Sequence, residues 1–256
     1  MNRPLLVTIA ALATLGAACS SSTSTSTSMS ISTPISTPIS TGASTSSASS
    51  TAPTTAADVA DERTFTAQVW ADNWFSLYVN GRLVGEDSVP ITTERSFNAE
   101  TITFTASYPL TIAMVSKDYE ETTSGLEYIG TDRQQMGDGG FIAQFTDTST
   151  GTVVDTTGGD WRGLVINRGP LNADCVTSQN ADADCRFELI DEPAGWTTSA
   201  FDDSAWTAAS VFTAEQVGTK DGYDTIEWDP AAKLIWTSDL KVDNTILWRH
   251  SVLRAP

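Results

Sequence analysis

The sequence predicts an all-β sandwich, and three observations carry that prediction. Helical periodicity is scarce, short runs of β-branched and aromatic residues alternate with polar ones, and turn residues separate the runs at regular intervals. Many short strands with this spacing are the pattern of two packed antiparallel sheets.

The strands follow in order. Thr64-Phe65-Thr66-Ala67-Gln68-Val69-Trp70 alternates with period two, and so does Trp74-Phe75-Ser76-Leu77-Tyr78-Val79. The second run ends in Asn80-Gly81, the preferred type I′ hairpin turn, so Arg82-Leu83-Val84-Gly85 is the return strand. Further strands are expected at Thr101–Ala106, Leu110–Ser116, Gly140–Asp147 and Thr152–Thr156, the last two joined by the turn Thr148-Ser149-Thr150-Gly151. Leu164–Asn167, Lys233–Thr237 and Ile246–Val252 complete the set. Along 74–79, Phe75, Leu77 and Val79 share one face, and Trp74, Ser76 and Tyr78 the other. If the first face is core, Trp74 and Tyr78 either line a groove or lie under a covering loop.

The N-terminus is organised differently. Pro4 to Ala18 carries no charge and is rich in Leu, Val, Ile and Ala. That is short of the roughly 20 apolar residues of a membrane span and fits the apolar region of an export signal. It ends in Leu15-Gly16-Ala17-Ala18-Cys19. Small residues before a Cys resemble the lipobox of bacterial lipoproteins, which implies a signal peptide over 1–18 and lipidation of Cys19. Ordinary secretory cleavage is the alternative. Acyl chains contribute about 0.8 kcal/mol per buried CH₂, so several of them anchor a protein stably to a bilayer. By resemblance to Gram-negative sorting, Ser20 after the Cys directs such a protein to the outer membrane. Residues 19–57 form a Ser/Thr/Ala/Pro tract with no charge and no aromatic residue. It cannot bury enough apolar surface to order itself, so it is expected to be a disordered tether with an r.m.s. span of about 35 Å.

All 32 acidic residues and 13 of the 14 basic ones fall in 58–256, which gives that region a formal charge of −19. Such a surface does not bind nucleic acid, which needs clustered Lys and Arg. It leaves either simple solubility or cation binding by carboxylates. With Cys19 lipidated, Cys175 and Cys185 remain, and an exported chain with one leftover pair is expected to join them in a disulfide.

The segment Ala71-Asp72-Asn73-Trp74-Phe75-Ser76-Leu77-Tyr78-Val79-Asn80-Gly81-Arg82-Leu83-Val84-Gly85 resembles a stretch of galactose-binding-like domains, the accessory jelly rolls of rhamnosidases and related glycoside hydrolases. Further resemblances come in the family's order: Tyr108-Pro109-Leu110-Thr111-Ile112, Gly139-Gly140-Phe141-Ile142-Ala143, Thr157-Gly158-Gly159-Asp160-Trp161-Arg162, Phe201-Asp202-Asp203-Ser204-Ala205-Trp206 and Ala232-Lys233-Leu234-Ile235-Trp236. Together they span nearly all of 60–252. The resemblance implies a galactose-binding-like jelly roll over 58–256. The Cys175–Cys185 loop departs from the pattern as an apparent insertion. No catalytic barrel follows in this sequence, so the resemblance implies binding without catalysis, with carbohydrate or another envelope polymer as the partner.

Catalytic signatures are sparse. His250, the only histidine, sits on an expected strand with no nucleophile elbow nearby, and one His with one free Cys pair excludes His clusters and thiolate zinc sites. Asp202-Asp203 reads as a turn, bonding local backbone N–H groups, rather than as a glycosidase pair. A structural Ca²⁺ is the expected ionic chemistry if any is present. Asn180, Asp182 and Asp184 place oxygen side chains at alternate positions, like the start of an EF-hand loop, though without its later Gly and Glu. For a sugar, exposed aromatics stack on the ring and acids or arginines bond hydroxyls. The candidates are Asp72 and Trp74, then Tyr128, Arg133 and Asp138 in the long 117–139 connection, then Tyr223 and Trp228 in the acidic 215–230 stretch. Trp161, Trp196, Trp206 and Trp236 are assigned to packing. A carbohydrate-binding envelope lipoprotein, an interaction module of an envelope complex and a carboxylate-dependent hydrolase are the three functions in play, in that order.

Overall fold

Residues 61–93 and 95–254 are described in a computed structural model of the chain. Cys19, the signal peptide and the tether lie outside the described residues. In chain order the strands are β1 (Arg63–Asp72), β2 (Trp74–Val79), β3 (Arg82–Glu86), β4 (Asn98–Ala106), β5 (Leu110–Lys117), β6 (Leu126–Glu127), β7 (Gln135–Met136), β8 (Gly140–Asp147), β9 (Thr152–Thr156), β10 (Arg162–Arg168), β11 (Glu188–Leu189), β12 (Thr207–Ala208), β13 (Ser210–Phe212), β14 (Leu234–Trp236) and β15 (Asp243–Val252). Two short α-helices, α1 (Ala181–Asp184) and α2 (Ala214–Val217), lie between them.

The strands form two antiparallel sheets. One runs β13-β14-β8-β1-β4, with β9 also on β8. The other runs β11-β10-β15-β5-β2-β3, with β12 also on β10. The alternation read from the sequence is what brings the sheets together. Phe65, Val69, Phe141 and Phe145 of the first sheet meet Phe75, Leu77, Met114 and Trp248 of the second in one buried cluster. Burying each such side chain contributes about 1.5–3 kcal/mol. The indole N–H groups inside are satisfied: Trp161 donates to the Thr156 carbonyl at 2.9 Å, Trp236 to that of Asp243 at 2.8 Å, and Trp248 to Ser116 Oγ at 2.8 Å.

The Asn80-Gly81 turn has positive φ at both residues, 52° and 82°, as a type I′ hairpin requires. The Asn80 amide ties this hairpin to the next corner, accepting from Thr111 N–H at 2.8 Å and donating to the Ser107 carbonyl at 3.1 Å.

Each sheet is also covered on its outer face. Over the first, Trp70, Ile142, Val217 and Leu234 pack with half-buried Tyr223 and Trp228. Over the second, Trp196 and Trp206 pack on Ala113, Val115 and Leu247. Tyr78 and Trp74 lie under this cover, with Tyr78 edge-on to Trp196 at 5.8 Å. The covering segment is held by buried Arg249, which donates to Asp203 at 2.7 Å and to the carbonyls of Trp196, Thr198 and Phe201. Asp202 makes the expected turn, accepting from Ser204 N–H at 3.0 Å.

The Cys175–Cys185 disulfide forms, with the Cα atoms 5.2 Å apart, and packs against Leu126 and Ala181. Five short strands escape the sequence reading: β6, β7, β11, β12 and β13. At two or three residues each, they are too short to show a period.

Candidate functional site

Three strand ends converge at one end of the sandwich. β1 finishes with Asp72, β5 is followed by Asp118, and Asp138 stands two residues before β8. Main-chain bonds fix the approach: Asn73 N–H donates to the Lys117 carbonyl at 2.7 Å, and Asp118 N–H to the Asn244 carbonyl at 2.8 Å. Asn73 Oδ1 in turn accepts from Tyr119 N–H at 2.6 Å. The Asp72–Asn73 peptide is cis. Gly137 permits the closest contact, because a Cβ there would lie 1.8 Å from Asp118 Oδ2.

Carboxylate oxygens from Asp72, Asp118 and Asp138 all lie within 4.8 Å of one another. Asp72 and Asp118 are buried, at 1% and 2% exposure, while the Asp138 side chain is 40% exposed. Glu127 on β6 is buried nearby and adds to the negative field on Asp72 and Asp118. Lys220 brings an ammonium to two of the three aspartates. Lys220 Nζ lies 3.3 Å from Asp72 Oδ2 and 3.1 Å from Asp138 Oδ2. It arrives from the segment after α2, a helix closed by a Thr213–Gln216 capping box and by Gly218 in the left-handed conformation.

That ammonium leaves Asp118 unsatisfied. Asp72 Oδ1 and both oxygens of Asp118 are buried without a hydrogen-bond partner. Burial, reinforced by Asp138, raises the Asp72 carboxyl to about 7 despite Lys220. Burial, with Asp72 and Glu127 behind it, pushes Asp118 well above the usual carboxylate range. Burial pulls the Lys220 ammonium down, but Asp72 and Asp138 outweigh it and the net shift is upward. The two partners thus report different things: the ammonium is welcome, and the carboxylates together still lack cation.

The arrangement fits a hard divalent cation. Ca²⁺ bonds oxygens at roughly 2.3–2.6 Å, so oxygens on opposite sides of one ion stand about 5 Å apart, and carboxylates are its preferred ligands. Asp72, Asp118 and Asp138 are the residues that would hold it, and Asp138 marks the side open to solvent.

The sequence-derived candidates are distributed as follows. Asp72 and Asp138 come together in the cluster. Trp74 lies on the outer face of the second sheet, with Lys117 Nζ 5.0 Å from its ring centroid. Tyr128 and Arg133 belong to the β6–β7 hairpin, where the guanidinium stacks 3.7 Å from the ring. Tyr223 and Trp228 pack under the cover of the first sheet, Tyr223 edge-on to Trp70 at 5.5 Å. Asn180, Asp182 and Asp184 do not converge. Helix α1 turns residues two apart to different sides, Asp182 and Asp184 are exposed, and Ser178 Oγ donates to Asp184. Asp118, Glu127 and Lys220 are the members the sequence reading missed. The sole histidine stacks on Trp161 at 5.6 Å and bonds Asp155 at 2.9 Å, away from the cluster.

Comparison with protein-family models, with curated proteins and with solved structures finds no match.

Proposed function

We propose that this chain is a non-catalytic binding protein of the cell envelope, of galactose-binding-like type and anchored through Cys19, that takes carbohydrate by way of a divalent cation held at Asp72, Asp118 and Asp138. The observation that carries the reading is Asp118: a fully buried carboxyl, both oxygens unpartnered, facing two more carboxylates. Leaving such a group unpaired is expensive, and a cation is the partner that would satisfy all three acids at once. Buried ligands on one side and solvent on the other leave part of an ion's coordination shell open. Vicinal hydroxyls of a sugar are neutral oxygen donors suited to complete it, and a strongly acidic surface admits neutral ligands more readily than anionic ones.

The same acids invite a second reading as a glycosidase, because two carboxyls lie close together and Asp72 is raised to about 7. Their burial counts against it. A glycosidic bond must lie between the two acids, at separations of about 5–10 Å, and Asp72 and Asp118 are only 1% and 2% exposed.

Calorimetric titration of the protein, stripped with EDTA, against calcium and magnesium tests the cation. A glycan array in calcium and in EDTA tests the ligand. The reading expects saturable cation binding and sugar signals present only with the cation. No cation binding, or turnover of aryl glycosides lost on Asp72→Asn, overturns it.

A further inference from the structure

A cavity of about 370 Å³ opens on the outer face of the second sheet, between the chain following β5, the end of β10 and the segment after β11. That volume suits a small organic molecule. Its apolar wall is Ile166 with Leu189 and Ile190, the last two 53% and 43% exposed. Its polar wall is rich in acceptors. Glu120 and Glu192 both line it, and Asn167, itself 6% exposed, has a buried Oδ1 with no partner. Asp118 lines this cavity and also belongs to the carboxylate cluster.

Donors are few. The amides of Asn167 and Asn244 are already given to Glu120, and the Trp196 indole N–H to Glu192 at 3.0 Å. Lys117 is the only basic residue on the wall, and its ammonium rests over Trp74. A carboxylate accepts several hydrogen bonds, so Glu120 and Glu192 keep unused lone pairs. What the cavity lacks is a positively charged donor carried on an apolar body.

We infer that this cavity binds a primary ammonium attached to a compact apolar or ring-shaped body, with the ammonium at Glu120, Glu192 and Asn167 and the body against Ile166, Leu189 and Ile190. A bare metal ion would leave the apolar wall unused, and an anionic ligand would meet the carboxyl groups of Asp118, Glu120 and Glu192.

The test uses three probes of one shape, cyclohexylammonium, cyclohexanol and cyclohexanecarboxylate, titrated by NMR against the whole chain in EDTA. EDTA keeps the result separate from the cation reading, which can fail without touching this one. Cyclohexylammonium is expected to bind at least about tenfold more tightly than cyclohexanol, with no binding of the carboxylate. Glu120→Gln and, at exposed positions that leave folding intact, Glu192→Gln and Ile190→Ser each weaken the ammonium about tenfold or more. Equal binding of the three probes, no binding of the ammonium, or full affinity in both exposed variants overturns the inference.

Discussion

Replacing Asp72 with Asn should make the cation-free protein more stable at pH 8 and deaf to calcium. Asp72 is 1% exposed and its carboxyl is raised to about 7. Holding it ionised above that pH costs on the order of 4 kcal/mol relative to water. An Asn side chain carries no charge. Its oxygen can still accept from Lys220, and its amide can donate into the cluster where Asp118 lacks a partner. Taking half the charge penalty as recoverable gives about 2 kcal/mol, or roughly 4–8 °C in Tm for a domain of this size. The sign follows from linkage. The folded state keeps a proton that the unfolded chain releases near pH 4, so wild-type stability falls as pH climbs from about 4 through 7. The advantage of Asp72→Asn is therefore absent near pH 4 and complete at pH 8. Calcium at about 100 times its dissociation constant should return about 2.7 kcal/mol to the wild type and nothing to the variant. Thermal melts across pH, in EDTA and in calcium, read all of this. A variant less stable than wild type at pH 8 in EDTA, beside a wild type whose Tm ignores calcium, refutes the reasoning.

Three further outcomes are expected. Arg249→Lys, which cannot reproduce the fork onto Asp203 and three carbonyls, should lose roughly 2–3 kcal/mol in urea denaturation and expose the 196–203 segment to proteolysis; an unchanged midpoint contradicts the clamp. Cys175→Ser with Cys185→Ser opens a loop with a separation of 10 residues and should cost roughly 2–3 kcal/mol, while reducing agent destabilises only the wild type. For His250, burial lowers the imidazole pKa, but Asp155 and Asp160 outweigh it and the net shift is upward. The stability from that pairing is present below the unfolded value near 6.5 and fades as pH rises through the folded value. His250→Gln should thus cost about 1–2 kcal/mol near pH 6 and progressively less toward pH 8–9, by denaturation at each pH; a constant difference contradicts the ion pair.

The fold was legible because its signal is local. Period-two runs such as 64–70 and 74–79, and the Asn80-Gly81 turn, declare strands and a hairpin without any distant contact. The start of β4 was missed because Asn98 and Glu100 interrupt its apolar alternation. The cluster was only half legible. Asp72 and Asp138 stood out beside a motif and in a long connection, whereas Asp118 is one acid among many until strand pairing places it opposite them. Antiparallel alternation did hold a clue: the ends of β1 and β5 and the start of β8 must share one end of the sandwich. Lys220 could not be foreseen, since it arrives from a segment 148 residues away from Asp72 whose path no periodicity reveals. Around Asn180–Asp184 the alternate spacing in sequence suits an extended loop, whereas Ala181–Asp184 coils into a short helix.

Strand β1 has a mechanical consequence. It is clamped between β4, over nine paired positions, and β8, over eight, and the chain before it enters at Arg63 while Asp72 lies at its far end. Any pull transmitted from the N-terminal side runs along β1 and loads both ladders in shear, so all those pairs resist together rather than opening one by one. Strand β1 is therefore the part of the domain that yields last to a force along its length.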